Sequence, residues 1–296
     1  IHQYPELSFQ EVKTAAYVAD ALRKMPGIEI QTGIAKTGIK AVLKGGKPGP
    51  VVALRADMDA LPVEERNDLP FRSQAKAMYQ GRETPVMHAC GHDTHVAMLL
   101  GAAEILSKIR AELSGTVVFF FQPAEEGGGG AYEMVKEGVM ENPKVEAVFG
   151  QHIGARAPGG AIFYRRGATM ASADSFYITV RGIGGHGATP WEAKDPILTA
   201  AQIVTSLQSI VTRQTDLWQG AAVVTVAQFN AGNRTNIIPE EATFSGTIRT
   251  LNEHTRKPTQ DAITRMATST AEASGLTASV RIGRGYPVLE NNPELV

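Results

Sequence analysis

Apolar residues in SFQEVKTAAYVADALRKM recur at helical spacing, which predicts a helix over residues 9–25. Ser8 followed by Glu11 has the spacing of a capping box at its start. GIKAVLKG and PVVALRAD read as strands. Val51, Val52, Ala53 and Leu54 make a continuous apolar run, as expected for a strand buried on both faces. HVAMLLGAAEILSKIRAEL predicts a second helix, and GTVVFFFQPAEEGGGGA an apolar strand that breaks into a glycine loop. AVFGQHI is a further short strand. Strands alternating with helices predict an α/β layered sheet, in which ligands gather at the carboxyl ends of strands. Asp57, Asp59, Glu125, Glu126 and His152 all fall at such ends.

From about residue 171 the pattern changes. SADSFYITVRG alternates like a half-buried strand, and DPILTAAQIVTSLQSIVTR is helical. AAVVTVAQFNAG and EATFSGTIRT are strands, HTRKPTQDAITRMATSTAEASG holds a helix, and LTASVRIG is a last strand. The order β-α-β-β-α-β is that of a ferredoxin-like α+β unit. It is expected at 170–282, inserted into a first domain formed by 1–169 and 283–296.

Composition narrows the class. Hydrophobic residues are 43% and charged residues 20% of 296, a globular balance. The net charge of -1 argues against a nucleic-acid binder, and no apolar run approaches the roughly 20 residues that span a bilayer. One cysteine cannot form an internal disulfide, which fits a reducing, cytoplasmic setting. With no opening Met and an end at NNPELV, the chain reads as a piece of a longer protein.

The chemistry concentrates in MHACGHDTHVAM, which holds His88, Cys90, His92, Asp93 and His95. A core segment gains nothing from so many polar groups, because each costs free energy unless partnered. Cys90 and His92 carry donor types that suit zinc and its neighbours, and Glu126 and His152 could close the site; carboxylate ligands widen the choice to manganese or cobalt. Singly, a small buried cysteine or a satisfied histidine is the simpler reading; together the four positions favour a metal. In the adjacent pair Glu125–Glu126, a cation on Glu126 leaves Glu125 free as a general base. Asp59 is the candidate that orients a ligand histidine, against a plain turn role before Pro62. In the later domain, His186 in GIGGHGATPW is a candidate oxyanion donor, and Asn236 and Arg249 a candidate carboxylate pocket.

HQYPELSFQE, LRADMDALPV, MHACGHDTH, FFFQPAEEGGGGA, GQHIGARAPG, GGHGATP and NRTNIIPEEATFSGTIRT run in one order over essentially the whole chain. In this the chain resembles the dinuclear metal amidohydrolases related to aminoacylase and carboxypeptidase G, in the subgroup of hippurate hydrolases, N-acyl-amino-acid amidohydrolases and auxin-conjugate hydrolases. The resemblance implies an aminopeptidase-like three-layer catalytic domain and a satellite domain used for homodimerisation. It implies two divalent ions (zinc, manganese, cobalt or nickel), with Cys90 bridging and His92, Glu126 and His152 as further ligands. Glu125 matches the general base and Asp59 the orienting aspartate. His186 matches a satellite histidine that reaches a neighbouring subunit's site; Asn236 and Arg249 match residues that hold the substrate carboxylate.

Two positions depart from the pattern. Trp191 stands where the family usually has His, and 283–296 lacks a histidine that the family supplies further on, so an incomplete second metal site is expected. The expected activity is hydrolysis of N-acyl amino acids, with a dipeptidase or carboxypeptidase as the neighbouring alternative and a metal-binding dimer without turnover as the other. A redox thiol protein is disfavoured, because no resolving cysteine exists.

Overall fold

The computed structural model describes residues 1–216 and 218–296, and the chain divides into two units, Ile1–Gly159 and Gly160–Val296.

The first unit holds α1 (Val12–Arg23), β1 (Ile28–Ile34), β2 (Gly38–Lys44), β3 (Lys47–Asp57), β4 (Lys76–Tyr79), β5 (Arg82–Pro85), α2 (His92–Lys108), β6 (Ser114–Gln122), α3 (Gly130–Lys136) and β7 (Ala147–Gly150). Five strands form a sheet in the order β1-β2-β6-β3-β7. β1, β2 and β6 pair antiparallel, whereas β3 pairs parallel with both β6 and β7. Side chains on β6 alternate between two cores, as a period of two requires. Phe119 and Phe121 pack with Val18 and Leu22 of α1 and Val96, Leu99 and Ala103 of α2. Val118 and Phe120 face the other way, onto Met134 of α3, Val139 and Val145. Helix, sheet and helix therefore make three layers.

Three local expectations change. Helix α1 begins at Val12 and not at residue 9, where Phe9 stands at φ 60°. Ser8 and Glu11 form no capping box: Ser8 Oγ donates to Asp59, and the Glu11 carboxylate accepts from Thr37 Oγ1 at 2.6 Å and from the Ala124 amide at 2.8 Å. The free amides of the first turn, Lys13 and Thr14, are met by the Glu6 carboxylate instead. Helix α2 starts at His92, three residues before the predicted start, so His92 and His95 share its first turn.

The second unit holds β8 (Gly167–Met170), β9 (Asp174–Arg181), β10 (Gly185–His186), α4 (Pro196–Ser209), β11 (Ala222–Ala231), β12 (Ile237–Ile238), β13 (Glu241–Thr250), α5 (Glu253–Ala273), β14 (Thr277–Gly283) and β15 (Leu289–Asn291). Its main sheet runs β11-β13-β9-β14, antiparallel throughout, which is the ferredoxin-like order. Phe176, Ile178 and Val180 of β9 and Phe244 and Ile248 of β13 bury against Ile203 and Leu207 of α4 and Ile263 and Ala267 of α5. Asp195 caps α4, accepting from the amides of Ile197 and Leu198. Arg256, in the first turn of α5, is buried with each guanidinium nitrogen engaged: Asp174 bidentately at 2.7 and 2.8 Å, Glu253 at 2.6 Å and the Gly285 carbonyl at 3.0 Å. β8 and β15 pair with each other. Among the described residues, no helix is long and apolar enough to cross a membrane.

Candidate metal centre

Three elements of the first unit deliver the polar cluster. β3 ends in Asp57 and leads into Asp59, β6 ends just before Glu125 and Glu126, and α2 opens on His92 with Cys90 in the turn before it. Glycine makes two of these junctions possible. Gly91, at φ 80°, caps α2, and a Cβ there would lie 2.3 Å from Ile153 Cδ1. A Cβ on Gly130, where α3 starts, would lie 1.8 Å from the Pro123 carbonyl oxygen. Only a residue without a side chain fits either place.

The loop after β6 is pinned from beneath by Asp59. Its two carboxylate oxygens accept the Glu125 amide at 2.9 Å, the Glu126 amide at 3.0 Å and Ser8 Oγ at 2.6 Å. Burial opposes ionisation of Asp59, but His92, Ser8 and these amides outweigh it and hold its pKa below the usual carboxylate range. The hydrogen bond that sets the His92 ring comes from the Asp59 main chain: Nδ1–H donates to its carbonyl at 2.8 Å, with carboxylate Oδ1 further off at 3.4 Å. Nε2 of His92 is thereby left with a free lone pair. It is buried without a hydrogen-bond partner, 3.8 Å from Glu125 Oε2 and 3.8 Å from Glu126 Oε1.

His152 shows the same logic. Its Nδ1–H donates to the Ile153 carbonyl at 2.7 Å, and Nε2 faces Cys90 Sγ at 3.2 Å. Cys90, His92 and His152 bring their donor atoms within 4.8 Å of one another, as do His92, Glu125 and Glu126. Glu126 Oε1 is also buried without a hydrogen-bond partner. Two imidazole nitrogens, a thiol and a carboxylate thus converge, with His92 Nε2 and Glu126 Oε1 unpartnered and His152 Nε2 meeting the Cys90 thiol, which is the donor set of a zinc-like cation site.

The electrostatics agree. Burial and the carboxylates of Glu126, Glu125 and Asp57 push the Cys90 thiol up to about 12. Burial, Glu126 and Asp57 likewise raise Glu125, with His92 and Arg55 opposing. So much unbalanced negative charge in one place is relieved by a divalent cation. The residues present therefore fit a metal.

Sequence reasoning gave no specific role to several residues here. Asp57 and His95 pair at 2.7 Å, and Arg55 donates to the other Asp57 oxygen at 2.8 Å. Burial opposes the Asp57 charge, yet His95, Arg55 and His92 hold its pKa down at about 2. His2 bridges Glu65 at 2.9 Å and Asp93 at 2.8 Å. The one available signal was the i, i+3 spacing of His92 and His95, which puts both on one helical face once the helix starts at His92.

His186, Asn236 and Arg249 belong to the second unit, and all three are exposed. His186 on β10 lies opposite Ile237 on β12, and the Gly187 amide donates to the Asn236 carbonyl at 2.9 Å. His186 Nδ1 accepts the Ala188 amide at 3.0 Å, so its proton sits on Nε2, which is free to donate. Arg249 on β13 donates to the Ser172 carbonyl at 3.4 Å. Trp191 is 77% exposed in a single 3₁₀ turn.

Residues 53–296 match the sequence profile of peptidase family M20/M25/M40. The chain is 45% identical over 299 residues to thermostable carboxypeptidase 1 of Saccharolobus solfataricus, covering 100% of this chain and 73% of the relative. It is 42% identical over 296 residues to the hippurate hydrolase of Campylobacter jejuni, covering 100% of this chain and 74% of the relative. The crystal structure of the Bacillus subtilis YXEP protein, described as a dinuclear metal binding peptidase from the M20 family, superposes with a TM-score of 0.80 at 38% identity, covering 99% of this chain and 73% of that one. The layered fold, the convergent donors and these likenesses agree, and the chain belongs to peptidase family M20/M25/M40.

Proposed function

We propose that the protein hydrolyses the amide bond of N-acyl amino acids, using two divalent cations held by Cys90, His92, Glu126 and His152. The observation that carries this reading is the convergence of His92 Nε2, His152 Nε2, Cys90 Sγ and Glu126 Oε1 beside a second, unligated carboxylate, Glu125. Cations bound there supply Lewis acidity toward the amide carbonyl and the attacking water. Glu125 accepts a proton from that water as its oxygen bonds to the carbonyl carbon. It returns the proton to the nitrogen as the C–N bond breaks, releasing a carboxylic acid and an amino acid. Asp59 holds the Glu125 amide and so aims its carboxylate.

In the second unit, His186 Nε2–H is the donor assigned to the developing oxyanion, supplied by a second copy of the chain in a homodimer formed through residues 170–282. Arg249 and Asn236 are assigned to the free α-carboxylate of the substrate. An unpaired cysteine in the centre accords with the reducing cytoplasm.

Similarity to both a hippurate hydrolase and a carboxypeptidase favours a leaving amino acid with a free carboxylate, and makes peptide C-terminal hydrolysis the second reading. A panel of N-benzoyl and N-acetyl amino acids beside dipeptides, assayed with added divalent metal, tests the choice. Turnover of the N-acyl amino acids is expected; turnover of dipeptides alone moves the assignment to the second reading. Glu125→Gln is expected to lower kcat by about 10²- to 10⁴-fold with bound metal unchanged; near-normal kcat removes Glu125 as the base.

A further inference from the structure

His92 and His95 occupy the same turn of α2, and Asp57, His92 and His95 also bring donor atoms within 4.8 Å. The hydrogen bonds tell the two rings apart. His92 keeps a bare Nε2, whereas the Nε2 of His95 accepts the Ile153 amide at 2.9 Å. That nitrogen carries no proton, so the ring proton is on Nδ1 and is donated to Asp57 Oδ1 at 2.7 Å. The lone pair of His95 is spent, and the ring is not a ligand.

Its acceptor contact falls on a consequential peptide. Ile153 follows His152, and the carbonyl of Ile153 fixes the His152 ring through Nδ1–H at 2.7 Å. Residues 151–160 are exposed, and among the described residues the His152 ring meets the edges or faces of only the His95 and His92 rings, with centroids 4.7 and 6.3 Å away. A continuous path of bonds holds His152 in place. Gln122 Oε1 accepts from Arg55 Nε at 2.8 Å, Arg55 Nη1 meets Asp57, Asp57 meets His95, and His95 meets Ile153. The first four of these residues are anchored in β6, β3 and α2, and Asp57 and His95 are each 1% exposed.

We propose that His95, oriented by Asp57, is a positioning residue: a neutral brace that holds the exposed segment 151–153 so that His152 Nε2 faces Cys90. This rests on the reading of Cys90 and His152 as metal ligands. Ligand orientation by such outer hydrogen bonds typically changes metal affinity by about 10- to 100-fold.

Co(II) loading of the full chain tests it, because charge transfer from the Cys90 thiolate to Co(II) gives an absorbance band and chelator competition gives the affinity. His95→Leu and the control His152→Ala are both expected to weaken Co(II) binding by about 10- to 100-fold with an unchanged far-ultraviolet dichroism spectrum. His95→Gln, which keeps an acceptor for the Ile153 amide, is expected to recover most of the loss. Wild-type affinity in His95→Leu overturns the brace, and so does a His95→Gln variant as weak as His95→Leu, since packing alone would then explain the loss. If His95→Leu does not fold, Asp57→Ala decides: it removes the acceptor for Nδ1–H altogether. A loss of tenfold or more in that variant supports the brace, and wild-type affinity overturns it. Absence of the thiolate band in the wild type refutes the Cys90 centre itself, and the brace with it; a wild-type band together with wild-type affinity in the His95 and Asp57 variants, while His152→Ala is weakened, refutes the brace alone.

Discussion

Asp59 accepts hydrogen bonds from Glu125, Glu126 and Ser8 and lends its own carbonyl to His92, so one residue orders both the proposed proton carrier and two proposed ligands. An ionised acceptor serves this role better than a neutral one, because each amide–carboxylate bond contributes about 1.5–3 kcal/mol. Asp59→Asn replaces one acceptor oxygen with a donor and sets it against a backbone amide. The expected result is a loss of about 2 kcal/mol in stability by denaturant titration, together with roughly tenfold or more weaker metal binding by chelator competition. Unchanged values for both would mean that the Glu125–Glu126 loop is held by something else. At this scale the capping-box reading of Ser8 and Glu11 also failed. The local spacing fits a helix start, but both side chains find partners far along the chain that a local pattern does not contain.

Among the elements, α2 is the one on which the site depends, and its N-terminal turn is tied to the chain's start and to residue 65 by His2. Burial works against the charged form of His2, but hydrogen bonds to Glu65 and Asp93 prevail and raise its pKa above the ordinary value of about 6.5. Burial likewise opposes the charge on Glu65, and His2, the Ser73 amide and Asn67 bring its pKa down to about 2. A raised histidine pKa stabilises the fold below about pH 6.5 and loses that contribution as pH rises through the folded value. A depressed carboxylate contributes above its ordinary pKa of about 4.3 and loses its contribution as pH falls toward the folded value. The stability gap between wild type and His2→Ala is therefore expected to be widest near about pH 5.5 and to narrow by about pH 8.5. Denaturant midpoints at the two pH values check this; a gap that widens on the alkaline side would contradict the ion-pair account.

At the scale of the whole molecule, each unit has its own hydrophobic core, and the second also buries an ion pair. Burial opposes the Asp174 charge, but Arg256 and the Gly285 amide keep its pKa low. Arg256→Met leaves Asp174 charged and buried without its main partner. Breaking such a pair typically costs about 3–5 kcal/mol, and that loss is expected in the unfolding of the second unit, followed by the near-ultraviolet signal of Tyr177 and its neighbours. A loss under about 1 kcal/mol would show that Gln260 and the Gly285 amide suffice for Asp174.

The strands and helices were largely legible in the chain itself, because burial on one face imposes a period of two or 3.6 that needs no knowledge of the fold. β9 alternates as its sequence does, and β6 is apolar from Val117 to Phe121 because both its faces are covered. The short helix α3 escaped notice, since four glycines look like loop; the positive φ of Gly127 and Gly129 and the close approaches of Gly128 to Phe9 and of Gly130 to Pro123 exist only in the folded chain. The chemical types of the centre were legible too: thiol, imidazole and carboxylate at Cys90, His92, Glu126 and His152 follow from which side chains can hold a cation. What the tertiary structure alone decided is the task of each imidazole. His92 and His95 are the same residue type on the same turn, yet one keeps its lone pair and the other gives it to an amide 58 positions away, while its proton goes to a carboxylate 38 positions away. A ring's tautomer depends on which partners the folded chain brings to its two nitrogens, and those contacts do not exist until the strands and α2 have packed together.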